Sequence, residues 1–442
     1  MQYSWPWSAF LFASVLVVGC SKPVEVRPVE QVQVADETIE QTSIEVSADD
    51  WPWWGGPAGT GVSTAVGVPL QWSESKNVVW KADVPGRGHS TPIVVGDRIV
   101  LTTADEDAER QMALCYSRQT GEPLWNRTIH EGNFTKMHKK NSHSSATPAS
   151  DGEQIYTVFI NDDALWVTAL DLTGEIVWQR EAGPFESEHG YGSSPVLYGS
   201  LVIVNGDNMS GCFVAALDRQ AGDVVWRTPR DTSGRHGSYA TPTIAHVAGK
   251  AQLILTGMST VSSYDPATGE LIWKCQGPAE VTAGAVSYND RLVFASGGYP
   301  EKEILAIRAD GAGDVTDTHV EWRESTGATY VPSPVYQENR LYIIADNGVA
   351  SCFEGDTGRR LWRERLDGNF SASLTLVDGH LIVTNEVGKS YVLKAADKFQ
   401  IVAENELPGG GFATAVACGE HLFLRTGDAL LCLGDQTVSA AR

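Results

Sequence analysis

One pattern returns along this chain at a nearly fixed spacing, and a fixed period restricts a chain to repeat architectures. The pattern is a small residue, an apolar residue, Asp, a short turn ending in Gly, an apolar pair and Trp. It runs from Ala169 through Asp171 and Gly174 to Trp178, from Ala216 through Asp218 and Gly222 to Trp226, and from Ser263 through Asp265 and Gly269 to Trp273. Weaker copies, SRQTGEPLW and EGDTGRRLW, end at Trp125 and Trp362, and Trp322 follows a lengthened version. Trp80, in NVVWKADV, has the strand and the Trp without the turn, and DKFQIVAENEL around Ala403 keeps the strand but has lost the Trp. These eight marks lie 40 to 53 residues apart, which suits a four-stranded unit repeated eight times. Seven of the 14 tryptophans are thereby accounted for.

Each turn has a mechanical reading. The Asp side chain can accept a backbone N–H two residues on, and the Gly supplies the positive φ that closes a tight hairpin. The Trp then falls on the outgoing strand, where an indole is large enough to bridge one sheet to the next. The high glycine content, 44 residues, fits this turn-rich all-β expectation. A second mark opens each unit: Thr91-Pro92, Thr147-Pro148, Ser194-Pro195, Thr241-Pro242 and Ser333-Pro334 precede short strands, where proline is tolerated because no ladder N–H is needed. Units five, seven and eight carry Ala285, Leu374 and Ala415 in its place.

The two ends of the repeat are each incomplete. The last unit, ATAVACGEHLFLRTGDALLCLGD, holds three strands and no Trp strand, whereas NVVWKADV is a Trp strand alone. Placing the first strand in the last sheet closes a ring and hides both edges. The expected fold is therefore all-β, an eight-bladed β-propeller over residues 77–435, closed by its N-terminal strand and complete as a monomer.

The repeat resembles the tryptophan-docking motif of the eight-bladed pyrroloquinoline-quinone-type propellers, a group that includes quinoprotein alcohol dehydrogenases and BamB-type outer-membrane assembly lipoproteins. The opening WPWWGGPAGTGVS, with PGRGHSTPIVVGDRIVLTTA and GDALLCLGD, is similar to a subgroup of exported bacterial propellers. This resemblance covers Asn77 to Asp435, with residues 51–76 as a leader. It implies the fold, while function must be argued from sites.

The N-terminus supplies an address. Ala9 to Val18 form an apolar run too short to span a bilayer, placed as a signal sequence would be. Its ending, Val17-Val18-Gly19-Cys20, resembles a bacterial lipobox, so residues 1–20 are expected to be processed and Cys20 lipidated, although no Lys or Arg precedes the run. Residues 21–50 carry eight acids against Lys22 and Arg27 and lack aromatics, which reads as a disordered acidic tether about 30 Å long on average. These features predict an exported protein anchored by lipid and facing the periplasm, at the outer membrane. Residues 436–442 form a tail. With 33 Lys and Arg against 55 Asp and Glu, and no basic stripe, the chain would repel a phosphate backbone, so no nucleic-acid partner is expected.

Candidate chemistry is sparse. Quinoprotein dehydrogenases of the resembling group use an adjacent Cys-Cys disulfide, a Ca²⁺ held by acidic and amide side chains, and an Asp base. This chain has no Cys-Cys dipeptide and lacks the long insertions that build their cofactor chamber, and Asp207-Asn208 is a single match. No cofactor is therefore expected, neither the quinone nor its calcium. Cys115, Cys352 and Cys432 occupy the column held elsewhere by Ala169 and Ala216, which makes them small buried residues pointing along different radii and poor disulfide partners. Cys212, Cys275 and Cys418 have no such explanation.

Histidines give the one non-random cluster. His89, His143, His189 and His236 lie three to six residues before the strand-opening prolines of units one to four, and Arg87, Arg235, Tyr191 and Tyr239 share those loops. They form either a polar ligand mouth or metal site on one face, or a set of solvated and locally bonded loop residues. The basic segment 130–144, HEGNFTKMHKKNSHS, is either a docking loop for an acidic partner or an ordinary connection. The leading functional expectation is a non-catalytic envelope scaffold that binds protein partners. An envelope enzyme using the histidine mouth, divergent quinoprotein or otherwise, and a polysaccharide-binding module are the alternatives.

Overall fold

A computed structural model of the chain describes residues 29–33, 44–230 and 236–435, together with Met1. Cys20 and the signal run, most of the acidic segment, Arg235 and the C-terminal tail lie outside the described residues.

Eight antiparallel sheets follow one another along the chain and form an eight-bladed β-propeller. Blade one holds the strands Ile93–Val95, Arg98–Asp105, Arg110–Ser117 and Pro123–Glu131, and the later blades repeat this in-to-out order. The ring closes as the incomplete ends predict: Val78–Asp83 pairs with Ala429–Leu433, placing Trp80 opposite Cys432 in blade eight. That ladder column explains the cysteines. Cys115 faces Trp125, Cys352 faces Trp362, and Ala169, Ala216 and Ala306 face Trp178, Trp226 and Trp322. The residue across from each indole is small and buried, and all six described cysteines are buried free thiols.

The tryptophans join neighbouring blades. Trp80, Trp125, Trp178, Trp322 and Trp362 donate their indole N–H to the carbonyls of Arg118, Leu172, Arg219, Gly355 and Ala396 in the following blade, at 2.7–3.0 Å. Trp226 lies over Gly269 of blade four without an acceptor for its indole N–H. Trp273 departs from the pattern and donates to Gln252 Oε1 within its own blade, at 2.8 Å. The physical reason is the lengthened turn of unit five. Its Gly313–Asp314 returns to pair in parallel with Trp273 and Lys274, adding a fifth strand to blade four and burying Val315.

Two sequence expectations need correction. The acidic segment is not wholly a solvated tether, because Val32–Gln33 pairs antiparallel with Trp226 and Arg227 on the outer edge of blade three, and Ile44 packs on the core of blades two and three. In unit five the residue in the proline's place is Val286, whereas Ala285 stands where other units carry Ser or Thr, as the hydrogen bonding described below shows.

The leader is a plug. Trp51 exchanges backbone hydrogen bonds with Val94 of blade one, and the Pro52 carbonyl accepts from Ser150 N of blade two. Further along, Tyr288 Oη of blade five donates to Ala58 O at 3.5 Å, Gly61 and Ser63 bond to Leu376 of blade seven, Ser63 Oγ donates to Ala417 O of blade eight, and Trp72 N donates to Asn405 Oδ1. Blades one and five stand opposite each other in an eight-blade ring, so the segment from Trp51 to Ala58 crosses the end of the central channel, and Trp54 stands at that crossing.

Candidate functional site: a one-ended central mouth

On the other side of this plug, the channel opens as a cavity of about 600 Å³. Its lower wall is a ring of hydroxyls. The backbone N–H of Thr91 donates to Thr147 Oγ1, Thr147 to Ser194 Oγ, and Ser194 to Thr241 Oγ1, each at 3.0 Å. The relay resumes from Ala285 to Ser333, Ser333 to Ser373, Ser373 to Thr414 and Thr414 back to Thr91, at 2.9–3.2 Å. Seven links of an eight-blade circle are thus made. The one gap lies between blades four and five, where Ala285 offers Thr241 N–H no oxygen. A residue that opens the innermost strand has a spare N–H, and the matching hydroxyl of the next blade satisfies it. In each Ser/Thr-Pro mark the hydroxyl residue, and not only the proline, carries this signal.

Trp54 forms the floor, and His89 stacks on Phe412 with ring centroids 4.4 Å apart as one wall. Burial, then the nearby guanidinium of Arg425 and that of Arg87, hold the His89 pKa down at about 3, so its imidazole is neutral. Arg425 is itself buried. It donates to Ser90 O, Ser90 Oγ and Thr102 O at 2.7–3.0 Å, has no carboxylate partner among the described residues, and is lowered to about 10 by burial.

The predicted cluster divides. His89, His189 and Tyr239 line the mouth. His143 turns away and packs on Phe134 at 4.1 Å, and Tyr191 is buried with its hydroxyl donating to Asn205 O at 3.0 Å. His236 sits against Tyr299 with its backbone N–H on Glu280 and does not line the cavity, while Arg87 is engaged by Glu106 and the Lys139 carbonyl. Equivalent loop positions fixed the face of the ring, but not the direction in which each side chain points. A shared metal site is not formed: among the described residues no group of three or more His, Cys, Asp or Glu is arranged to hold an ion.

The basic segment 130–144 contributes side chains to this site. It arches over the mouth, bringing His138 within 5.6 Å of His189 and seating Lys140 Nζ on Glu386 Oε1 and Oε2 of blade seven, at 3.1 and 3.0 Å. Glu386 also accepts from Ser371 Oγ at 2.8 Å, and Asp346 accepts the backbone N–H groups of Tyr330 and Val331 at 2.8 and 3.0 Å. Both carboxylates facing the cavity are therefore committed. Lys302 lines it with no carboxylate partner among the described residues.

These donors do not suit the quinone and calcium that the fold group implies. Asp207 is buried on Arg230 Nε at 2.7 Å, and Asn208 is spent on Ser210 and the carbonyls of Gly206 and Gly211. The cysteines are dispersed among the blades, with no adjacent pair.

Comparison with known proteins agrees with the architecture. The family described as "Outer membrane protein assembly factor BamB" matches residues 55–126, 108–250, 257–400 and 345–437. The chain is 26% identical over 278 residues to outer membrane protein assembly factor BamB of Burkholderia pseudomallei, covering 61% of this chain and 64% of that one. It is 24% identical over 255 residues to the protein of the same name from Nitrosomonas eutropha, covering 54% and 55%. The chain thus spans less than two thirds of the length of these relatives. Among solved structures, BamB from Moraxella catarrhalis superposes with a TM-score of 0.59 at 14% identity, covering 80% of this chain and 99% of that one. A europium-containing methanol dehydrogenase gives 0.62 at 11%, covering 86% and 91%. At such identities these two likenesses concern the fold.

Proposed function

The chain belongs to the outer membrane protein assembly factor BamB family, and on that premise we propose that it is a non-catalytic scaffold of the bacterial envelope that binds protein partners. In this reading Cys20 carries a lipid, and the residues before the leader hold the propeller close to the periplasmic side of the outer membrane. The observation that carries the partner-binding part is the lip of the mouth, where Val387, next to the Glu386 that meets Lys140 of the arch, stands 76% exposed, and Tyr299, next to Gly298 of the cavity wall, stands 52% exposed. Large apolar side chains held in water beside polar loops mark a contact surface. The committed carboxylates of the mouth favour a scaffold over an enzyme.

The test is capture of partners from envelope extract with the lipidated chain, the Val387→Asp/Tyr299→Ala double variant and Cys20→Ser. The reading expects a recurrent envelope protein that the double variant loses, and expects Cys20→Ser to leave the membrane fraction. Recovery of no recurrent protein, or equal recovery with the double variant, would count against the scaffold and its proposed face.

A further inference from the structure

We propose that the central mouth is a binding site for a small organic anion, whose carboxylate or phosphate oxygens are taken by the hydroxyl ring and Lys302. This does not depend on the scaffold reading and would stand if no protein partner were found.

The inference comes from a surplus of donors. Thr91, Thr147, Ser194, Thr241, Ser333, Ser373 and Thr414 all line the cavity, and all but Thr414 are more than nine-tenths buried. Each hydroxyl oxygen accepts a backbone N–H from the neighbouring blade. A hydroxyl that accepts still has its own proton to donate. None of the seven donates to a protein acceptor among the described residues, so seven O–H groups, six of them buried, encircle one space without a protein acceptor. The Thr241 N–H joins them at the Ala285 gap. Buried donors left without acceptors are costly, and what relieves them is oxygen rich in lone pairs.

The two carboxylates of the wall are already engaged. Glu386 is filled by Lys140 and Ser371, and Asp346 by two backbone N–H groups. Among the described residues the free cation at the wall is Lys302. A chain of net charge −22 would not gather anions by its overall field, so the local excess of donors has to be the source of any affinity. The remaining walls argue for an organic body on the anion. Trp54 below and the His89–Phe412 stack beside the ring present flat apolar faces, and about 600 Å³ is far larger than a bare inorganic ion needs. A neutral sugar is disfavoured because each of its hydroxyls brings a further donor along with its lone pairs, whereas an ionised carboxylate brings acceptors alone.

Titration calorimetry on the purified full-length propeller in phosphate-free buffer tests this, with citrate, glycerol 2-phosphate and maltose as probes. At least one anion should bind with a Kd below about 1 mM, a range that a few charge-assisted hydrogen bonds reach, and the two anions distinguish carboxylate from phosphate recognition. Lys302→Gln should weaken that anion about tenfold. Gly192→Phe fills the mouth while leaving every ring hydroxyl in place, since only Tyr239 Cβ lies near that position, and should abolish binding without altering the β-sheet circular dichroism. The proposal is overturned if neither anion binds at about 10 mM, if maltose binds as tightly as the anions, or if both variants bind like the parent.

Discussion

The indole of Trp125 rests on Gly174 of the following blade, with its N–H donated to Leu172 O two residues earlier at 3.0 Å. A Cβ on Gly174 would come within 2.6 Å of the indole, and the same relation links Trp80 to Gly121, Trp178 to Gly222 and Trp322 to Gly358 at 2.5–2.6 Å. The repeated glycine therefore serves two demands at once, a φ of +86° and a seat for the neighbour's ring. Each blade is docked onto the next through its turn.

The two demands separate by substitution. Gly174→Ala should cost about 2–4 kcal/mol, from left-handed backbone strain together with the displaced indole. Gly152 has a similar φ of +91° with open space around it, so Gly152→Ala should cost only about 1–2 kcal/mol. Urea unfolding of the two variants reads the difference, and equal losses would show that the indole seat is energetically idle.

The hydroxyl circle makes opposite predictions at its two sides. Ser333→Ala leaves the buried Ala285 N–H without its acceptor and should destabilise by about 1–3 kcal/mol. Ala285→Ser supplies the missing eighth hydroxyl to Thr241 N–H and should stabilise by about 0.5–1.5 kcal/mol. Chemical denaturation checks both. A neutral or destabilising Ala285→Ser would mean that the gap has another occupant.

Asp207 and Arg230 form an ion pair at 2.7 Å with side chains 0% and 2% exposed, and Arg230 Nη1 also donates to Tyr264 Oη at 3.0 Å. Asp207→Ala leaves a buried guanidinium without its counter-charge and should cost about 3–5 kcal/mol. The variant is measured by its shift in unfolding midpoint against Asp97→Ala, an exposed site expected to change little.

Acid should loosen the ring. Burial holds His89 at about 3 and His130 at about 4, while both ionise near 6.5 in the unfolded chain. The unfolded state then binds more protons throughout that window, so stability is full above pH 6.5 and declines as pH falls, by about 1.4 kcal/mol per pH unit for each group. His89→Phe keeps an aromatic face for Phe412 and removes one titration. Its melting temperature should fall less steeply than the parent's between pH 6.5 and 4.5.

The repeat, its count and its closure were determined by the sequence, because each blade carries its own local marks: an Asp and Gly that close a turn, a Trp beside them, and two fragments that complete only one another. The small column at Cys115, Cys352 and Cys432 was legible for the same reason, as it faces the marked Trp. What required the tertiary structure is whatever depends on neighbours far apart in the chain. The hydroxyls of Thr91 and Thr414 are visible as letters, yet they become partners only where the ring closes. The histidines shared a loop position, but packing against Phe134 or Phe412 decided which way each imaginable ligand turned. Lys140 could be read as basic, and only the curvature of the ring brought Glu386 beneath it. The leader's course across the channel, and the edge pairing of Val32–Gln33 and Gly313–Asp314, follow from which surfaces the finished blades leave open, and no local pattern encodes that.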